Sequence, residues 1–449
     1  MIKKKQLHVV TNSEVEAWRK CHAFWGFGYA EGLRPVVRPL PLSFGNIYHA
    51  GAAGGWRAAW SEPEASLDTR LAWAVTGARA AILAKAEAFL AELAAAPLGP
   101  DDNLQELQGV TEESRDIALW AAGHYFERVQ PELDFVPLAI EAPFRIHVPN
   151  AGGAPSSLLD DGVMDLVLWD REGSRIVLQD HKGTAYGVHT LEQRVVLDTQ
   201  ITGYMIALRM LLGRAFSQKS WADPFWSYAP AAAQSMRDRS VFLAGVGSGV
   251  FNVVRRHKPS QPKLNLLAKK WATLELQRAL YAAQEEDGVP RGEVSVAQID
   301  TTPEVYADAL LAQQVERGLE VTEKQRLLLQ SLKARTDTFF CQVEFYRGPE
   351  EFERWRKELW VDAKRMRSAL RKPEERTRNP SACTSPSSPI CPYRAVCLAP
   401  DSPEARSGFR VAVNKHEEVR EAQEHERHTS GSDGLGAFEE EGQPSPVNF

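Results

Sequence analysis

The sequence has few cysteines, no apolar stretch behind its basic start and no membrane-length apolar run, and each shortage argues against something. Five cysteines in 449 residues is an odd number. The basic start Met1-Ile2-Lys3-Lys4-Lys5 is followed by no apolar stretch, so no export signal is expected. Disulfides are then not expected, and thiols in a core or on a metal are. The most apolar stretch, Leu71 to Ala96, is broken by Arg79, Lys85, Glu87 and Glu92, so no membrane span is expected either. The expected location is the cytoplasm of a bacterial or phage-infected cell. No internal repeat is found.

What remains is an ordinary globular composition, 43% hydrophobic and 25% charged. That is enough apolar residue to offset chain entropy, which excludes disorder throughout. The length implies two or three units, or one core with large insertions. Net charge is -6, but nine acids and only Arg420 and Arg427 lie between His416 and Glu441. The remaining 415 residues carry 51 Lys+Arg against 50 Asp+Glu. A near-neutral body can carry local basic faces, so nucleic acid is not excluded.

Along the chain, Thr11-Asn12-Ser13 caps a helix and a second helix follows Ser43. An Ala-rich helix over Leu71 to Ala96 ends at Pro97-Leu98-Gly99-Pro100, and another spans 115–129. Val136 to Val148 alternates as a strand. Val163 to Trp169 and Arg175 to Asp180 are β-type runs around Asp170-Arg171-Glu172-Gly173-Ser174, a hairpin. A helix over Leu191 to Leu212 and a strand over Ser240 to Arg255 follow. Helices are then expected at 264–285, 303–335 and 350–370, with a strand at Asp337 to Phe345 that buries Cys341. Beyond residue 405 the chain reads as disordered. The pattern divides into a helical segment 1–60, a helical insertion 61–134, a mixed core 135–260, a helical region 261–378 with a basic face, a cysteine loop 379–400 and an acidic tail 401–449.

The hairpin carries the chemistry. Asp180 and Lys182, two apart on a strand, share a face. If Asp170 pairs with Arg175, every pair sums to 345 and Asp165 lies across from Asp180. Their Cβ atoms are then roughly 4.5–5.5 Å apart. Two carboxylates that close repel unless a divalent cation lies between them, and oxygen donors suit Mg²⁺ or Mn²⁺. Lys182 beside that metal can orient a water or stabilise charge on a phosphoryl oxygen. Gln200 and Tyr204, four apart, share a face of the next helix, and His49 in Ser43-Phe44-Gly45-Asn46-Ile47-Tyr48-His49 can supply a nitrogen ligand.

With Gly162-Val163-Met164-Asp165, Asp180-His181-Lys182 and Gln200-x-x-x-Tyr204 in order, the sequence resembles the RecB-like branch of the PD-(D/E)xK nuclease superfamily. That branch includes lambda-type exonucleases, the AddB nuclease domain and CRISPR spacer-acquisition nucleases. The resemblance implies an α/β, restriction-endonuclease-like mixed central sheet flanked by helices, with helical insertions. It implies a metal held by His49, Asp165, Asp180 and the backbone carbonyl of His181. Lys182 would activate the water, and Gln200 and Tyr204 would brace the site. Glu141 is a possible supporting carboxylate. The His181 ring falls on the opposite face, as core or surface.

Cys383, Cys391 and Cys397 lie within fifteen residues, and three ligands do not complete a tetrahedral site. Cys21 is the candidate fourth. The set resembles the iron–sulfur staple of AddB relatives, which implies a [4Fe–4S] cluster tying the chain ends together. The gap from Cys383 to Cys391 is longer than the spacing common in the family, which leaves zinc, a partial site or no metal open. Ten Lys/Arg against four acids between Arg354 and Arg378, including Arg365 and Arg367, make one candidate DNA face; Arg255, Arg256 and Lys258 make a second. The expected function is a metal-dependent DNA exonuclease of recombination, repair or phage DNA metabolism, working on single strands or free ends, with a possible helicase or recombination partner. A CRISPR spacer-acquisition nuclease and a non-catalytic iron–sulfur DNA-binding scaffold are the alternatives.

Overall fold

A computed structural model describes residues 8–36, 40–95, 103–150, 155–170, 172, 175–185, 188, 198–218, 226, 248–265, 293–296, 300–316, 318–335, 337–383, 391–412, 416 and 419. It opens with β1 (His8–Thr11), α1 (Asn12–Lys20) and α2 (His22–Trp25), then a π-helical turn and β2 (Leu33–Pro35). Thr11 caps α1, its Oγ1 accepting the N–H of Glu14 at 3.3 Å. Three long helices follow: α3 (Leu40–Ala59), α4 (Leu67–Ala95) and α5 (Leu104–Arg128). Next come β3 (Val136–Pro149), β4 (Pro155–Asp170), β5 (Arg175–Thr184), α6 (Thr199–Gln218), β6 (Ser248–Arg255), β7 (Leu264–Asn265) and β8 (Glu293–Val294). The last long elements are α7 (Pro303–Val315), α8 (Glu323–Ala334), β9 (Phe340–Tyr346) and α9 (Pro349–Arg371). Short helical turns and β10 (Phe409–Val411) complete the described chain.

Six strands make one mixed sheet in the order β1-β4-β5-β6-β9, with β3 on the other edge of β4. The hairpin register is the expected one, from Asp170↔Arg175 to Leu166↔Gln179. β4 is the organising strand. β3 pairs along its length, while β1 (Val10↔Asp160) and β5 share its opposite edge. Between the two, at residues 162–165, that edge of β4 is unpaired. The sheet therefore forks at Asp165.

Helices cover both faces. Against one, α3, α4 and α5 bury Phe44, Ile47, Trp56, Ile82 and Phe126 on Ile140, Leu166 and Val177. Against the other, α1, α6 and α9 bury Trp18, Met205, Leu208, Trp355 and Met366 on Met164, Ile176 and Leu178. Each such side chain contributes roughly 1.5–3 kcal/mol on leaving water. Ile176 and Leu178 face α6 while Val177 faces α3, so alternation sends Asp180 and Lys182 toward α6 and His181 toward α3. Gly162 lets α6 come close, because a Cβ there would lie 2.7 Å from Phe144 and 3.1 Å from Tyr204.

Five expectations change. The segments before 135 and after 260 contribute β1 and β9, so the sheet is not contained in 135–260. The helix expected over 303–335 is two, α7 and α8, because Gly318 turns the chain at φ 64° and Thr322 starts a new capping box. Cys341 on β9 is half-buried rather than fully in the core. Past residue 405 the chain is ordered for some way: β10 pairs antiparallel with β2, and His416 and Val419 are buried. Of the helix expected at 264–285, Leu264 and Asn265 instead form β7, paired antiparallel with β8, and the rest lies outside the described residues, as do 191–197 and 240–247 of two other elements. No helix among the described residues is long and apolar enough to cross a membrane.

Candidate functional site

The fork gathers one acid from each of three adjacent strands. Ile140↔Leu166 and Ala142↔Met164 put Glu141 beside Asp165 on β4, and the hairpin puts Asp180 on its other side. Asp165 is 8% exposed and Asp180 1%. Where the ladder ends, the Asp165 carboxylate substitutes for it: Oδ2 accepts the backbone N–H of His181 at 2.7 Å.

From α3, His49 enters the fork. Its Nδ1 lies 3.4 Å from Asp165 Oδ2 and 3.5 Å from Glu141 Oε1, and its Nε2 is 3.0 Å from the carbonyl oxygen of His181. Both ring nitrogens thus face acceptors, which favours the imidazolium. Burial opposes that charge, but Asp165 and Glu141 outweigh it and hold His49 well above the usual histidine range. Burial likewise pushes Asp165 up, and the His49 charge with the hydrogen bond from the His181 ring overcomes it, leaving Asp165 below its ordinary value. Ligand atoms of His49, Glu141 and Asp165 all lie within 4.8 Å of one another. One imidazole and two carboxylates are a fit donor set for a hard divalent cation, which would take the place of the ring proton.

Glu141 has a backbone φ of 48°, alone among the described non-glycine residues in being positive. Such a conformation costs about 1–3 kcal/mol and persists only where the surroundings impose it. Here it turns a strand residue so that its carboxylate meets His49.

On the α6 side, Lys182 Nζ lies 2.9 Å from Asp180 Oδ2 and 3.8 Å from Asp198, and donates to Gln200 Oε1 at 2.6 Å. The Gln200 amide donates onward to Tyr204 Oη at 2.7 Å. Burial raises Asp180 to about 7 against the pull of Lys182, with Asp165 and Asp198 adding to the rise. Burial would lower Lys182, but Asp180 and Asp198 keep it above its normal value, firmly cationic. The result is a half-buried ammonium ion held beside a carboxyl pair.

Placement of the expected residues is therefore mixed. His49, Asp165, Asp180, Lys182, Gln200, Tyr204 and the His181 carbonyl converge at the fork, with Glu141 among them. Asp180 faces Lys182 and is not part of the close His49–Glu141–Asp165 group. The His181 ring is buried against Tyr48 and Tyr125, but its Nδ1 also lies 3.5 Å from Asp165 Oδ2, so it belongs to the site's inner wall. Two charged neighbours were not expected. Asp198 starts α6, its Oδ1 accepting the Gln200 N–H at 2.7 Å, and the Glu16 carboxyl on α1 is raised by partial desolvation and by Asp198. An Asp two residues before the Gln is a helix-start signal that sequence reading can use.

The four cysteines approach one another where the C-terminal end of α1 meets the late chain. Cys21 Sγ accepts the Asn379 N–H at 3.4 Å, and Cys383 Sγ lies 3.6 Å from the Asn379 carbonyl oxygen. Burial pushes the thiols of Cys391 and Cys397 up, and Cys383 and Cys21 are close enough to add to both shifts. No three of their sulfurs lie within 4.8 Å of one another. A tetrahedral zinc would need sulfurs about 3.8 Å apart, from Zn–S bonds near 2.3 Å.

The basic candidates are partly engaged. Arg255 pairs with Asp300, and Lys258 lies 3.8 Å from Asp116. The Arg256 backbone N–H bonds Thr184 O at 2.6 Å. On α9, Arg365 is exposed and Arg367 half-buried. No curated protein matches the chain. A family model for the PD-(D/E)XK nuclease superfamily matches residues 9–398, which hold both the fork and the four cysteines, and the chain belongs to that superfamily.

Proposed function

We propose that the protein is a Mg²⁺- or Mn²⁺-dependent deoxyribonuclease that removes nucleotides from DNA ends, in recombination, repair or phage DNA metabolism. The observation that carries the reading is the fork itself, with acids from three adjacent strands, an imidazole and a half-buried lysine at one point. His49, Asp165 and Glu141 would hold the cation, with Asp180 and the His181 carbonyl completing its surroundings. A bound cation of this kind polarises a phosphodiester and lowers the pKa of a water. Lys182, fixed by Asp180 and Gln200, holds the attacking water in line or meets the charge that develops on the phosphoryl oxygens. Exposed basic residues of α9, Arg365 among them, would hold the phosphate backbone.

For the cysteines we propose a [4Fe–4S] cluster on Cys21, Cys383, Cys391 and Cys397. Support comes from four thiols that approach one another from chain ends, at spacings wider than a single zinc ion draws together.

The test uses the full chain on end-labelled single- and double-stranded DNA with Mg²⁺ or Mn²⁺, beside Asp180→Ala. Release of labelled nucleotide by the wild type alone supports the reading. Equal digestion by both would remove the proposed site, and internal cutting without end release would remove the exonuclease assignment. Visible absorbance of anaerobically purified protein tests the cluster.

A further inference from the structure

The hydrogen-bond chain that leaves Lys182 does not end at Tyr204. Lysine only donates, so Gln200 must turn Oε1 toward Nζ and its amide hydrogens toward Tyr204. Tyr204 Oη then accepts, and its own hydrogen must point elsewhere. Beyond it lies a small cavity with room for one water, bordered by Gln200, Tyr204 and Asp160 and closed over by Val15, Trp355 and Leu359. Trp355 is packed so tightly on α6 that a Cβ on Gly203 would sit 2.7 Å from it.

Asp160 is the unexplained member. It is 5% exposed, and its strand position is fixed on both edges by Val10 and Ile146. The next residue, Asp161, is held bidentately by Arg145, but the Asp160 carboxyl has no hydrogen-bond or ion-pair partner among the described residues. Arg19, which also borders the cavity, is committed to Asp362 at 2.8 Å and Glu358 at 3.3 Å. A buried carboxyl without a partner costs several kcal/mol unless something satisfies it.

We propose that Asp160 is a positioning residue for Lys182: through one water in this cavity it accepts the Tyr204 hydroxyl hydrogen and so fixes which way the Gln200 amide points. With that acceptor present, Oη offers a lone pair to the Gln200 amide nitrogen and Oε1 faces the ammonium. Without it, the phenol can turn its hydrogen to Gln200 Oε1, and a flipped amide would present its N–H groups to Lys182, which has nothing to accept with. Burial and Asp161 raise the Asp160 carboxyl, yet its neutral form still carries an acceptor oxygen, so the orientation does not depend on its charge.

The inference rests on the nuclease reading, and the test separates the two. Lys182→Ala should be inactive; if it cleaves DNA normally, the reading itself fails. Asp160→Leu should lower kcat about tenfold with KM for DNA within twofold, while Asp160→Asn, which keeps an acceptor, restores most of the rate. Asp160→Leu combined with Tyr204→Phe should be no slower than the slower single variant, and in Gln200→Glu, whose two oxygens are equivalent acceptors, Asp160→Leu should cost nothing further. Wild-type kcat in Asp160→Leu, or losses that multiply in the double variant, would overturn the proposal. A second readout holds even if Asp160→Leu does not fold: the carboxyl carbon-13 resonance of Asp160 should move in Tyr204→Phe, and an unmoved resonance also overturns it.

Discussion

The fork and the cysteine clamp each bring like groups together, and they do so by opposite means. At the fork, Glu141, Asp165 and Asp180 come from neighbouring strands, so the ladders that end beside them bring them close before any side chain packs. At the clamp, Cys21 and the three late cysteines are separated by more than 350 positions of sequence. They meet because aromatic rings and strands fasten the chain ends: Phe24 packs edge-on to Tyr393, Phe409 stacks on it, and Tyr393 Oη donates to Leu33 O at 2.9 Å. The β2–β10 pair and the Arg376–Glu31–Arg406 bridge close the same joint. One region stores buried charge in a sheet, and the other stores apolar contact between distant segments.

The sharpest way to break that contrast is to remove charge from the fork. Lys182→Ala and Asp180→Ala should each cut DNA cleavage about a thousandfold in a single-turnover assay. Because Asp180 is a buried acid raised by desolvation, Asp180→Ala should leave the thermal midpoint unchanged or higher. A large fall in the midpoint would show that the fork is a structural joint.

The clamp should answer in reverse. Cys383→Ser should abolish cluster absorbance and lower unfolding free energy by about 2–4 kcal/mol in denaturant titration, the order expected for cutting a cross-link between distant residues. Cleavage per folded molecule should stay near wild type. Loss of activity with unchanged stability would make the two regions one functional unit.

A third joint, between α5 and the start of β9, supplies a control with a definite pH sign. Asp337, before β9, bonds His124 of α5 at 2.7 Å and Arg128 at 2.9 Å. Burial would raise Asp337, but the His124 bond and charge, the Phe339 N–H and Arg128 bring it down to about 2. Its folded value is below the unfolded one of about 4, so its share of stability, about 2 kcal/mol, is complete above pH 4 and is lost as pH falls through 2. Asp337→Asn should flatten acid unfolding over that window without changing cleavage near neutral pH. An unchanged acid limb would remove Asp337 as an anchor.

These differences also explain what the sequence could and could not say. The sum rule for the hairpin followed from one turn and a period of two, and the ladder from Asp170↔Arg175 to Leu166↔Gln179 obeys it. Gln200 and Tyr204 were legible because helix spacing alone puts them on one face. Asp160 was not: alternation marks it as a strand residue, but its cavity is made by α1, α6 and α9 from three distant parts of the chain. Glu16 was hidden for the same reason. The order of β10 was missed because a three-residue strand carries no period of its own and is fixed by its partner Leu33–Pro35.

Glu141 joins the two halves of the comparison, since its backbone is strained and its side chain is aimed. At φ 48° a glycine sits without penalty, whereas a glutamate does not. Glu141→Gly should therefore gain about 1 kcal/mol in chemical denaturation. The same variant should lose about tenfold in Mn²⁺ affinity by calorimetric titration, because only His49 and Asp165 of the close group remain. Glu141→Gln separates the two effects: it keeps the strained backbone and the length of the side chain but not the charge, so affinity should fall alike with no gain in stability. If both variants bind Mn²⁺ as the wild type does, the strained residue is an accident of β3 packing, and the cation is held by the β4–β5 hairpin and His49 alone.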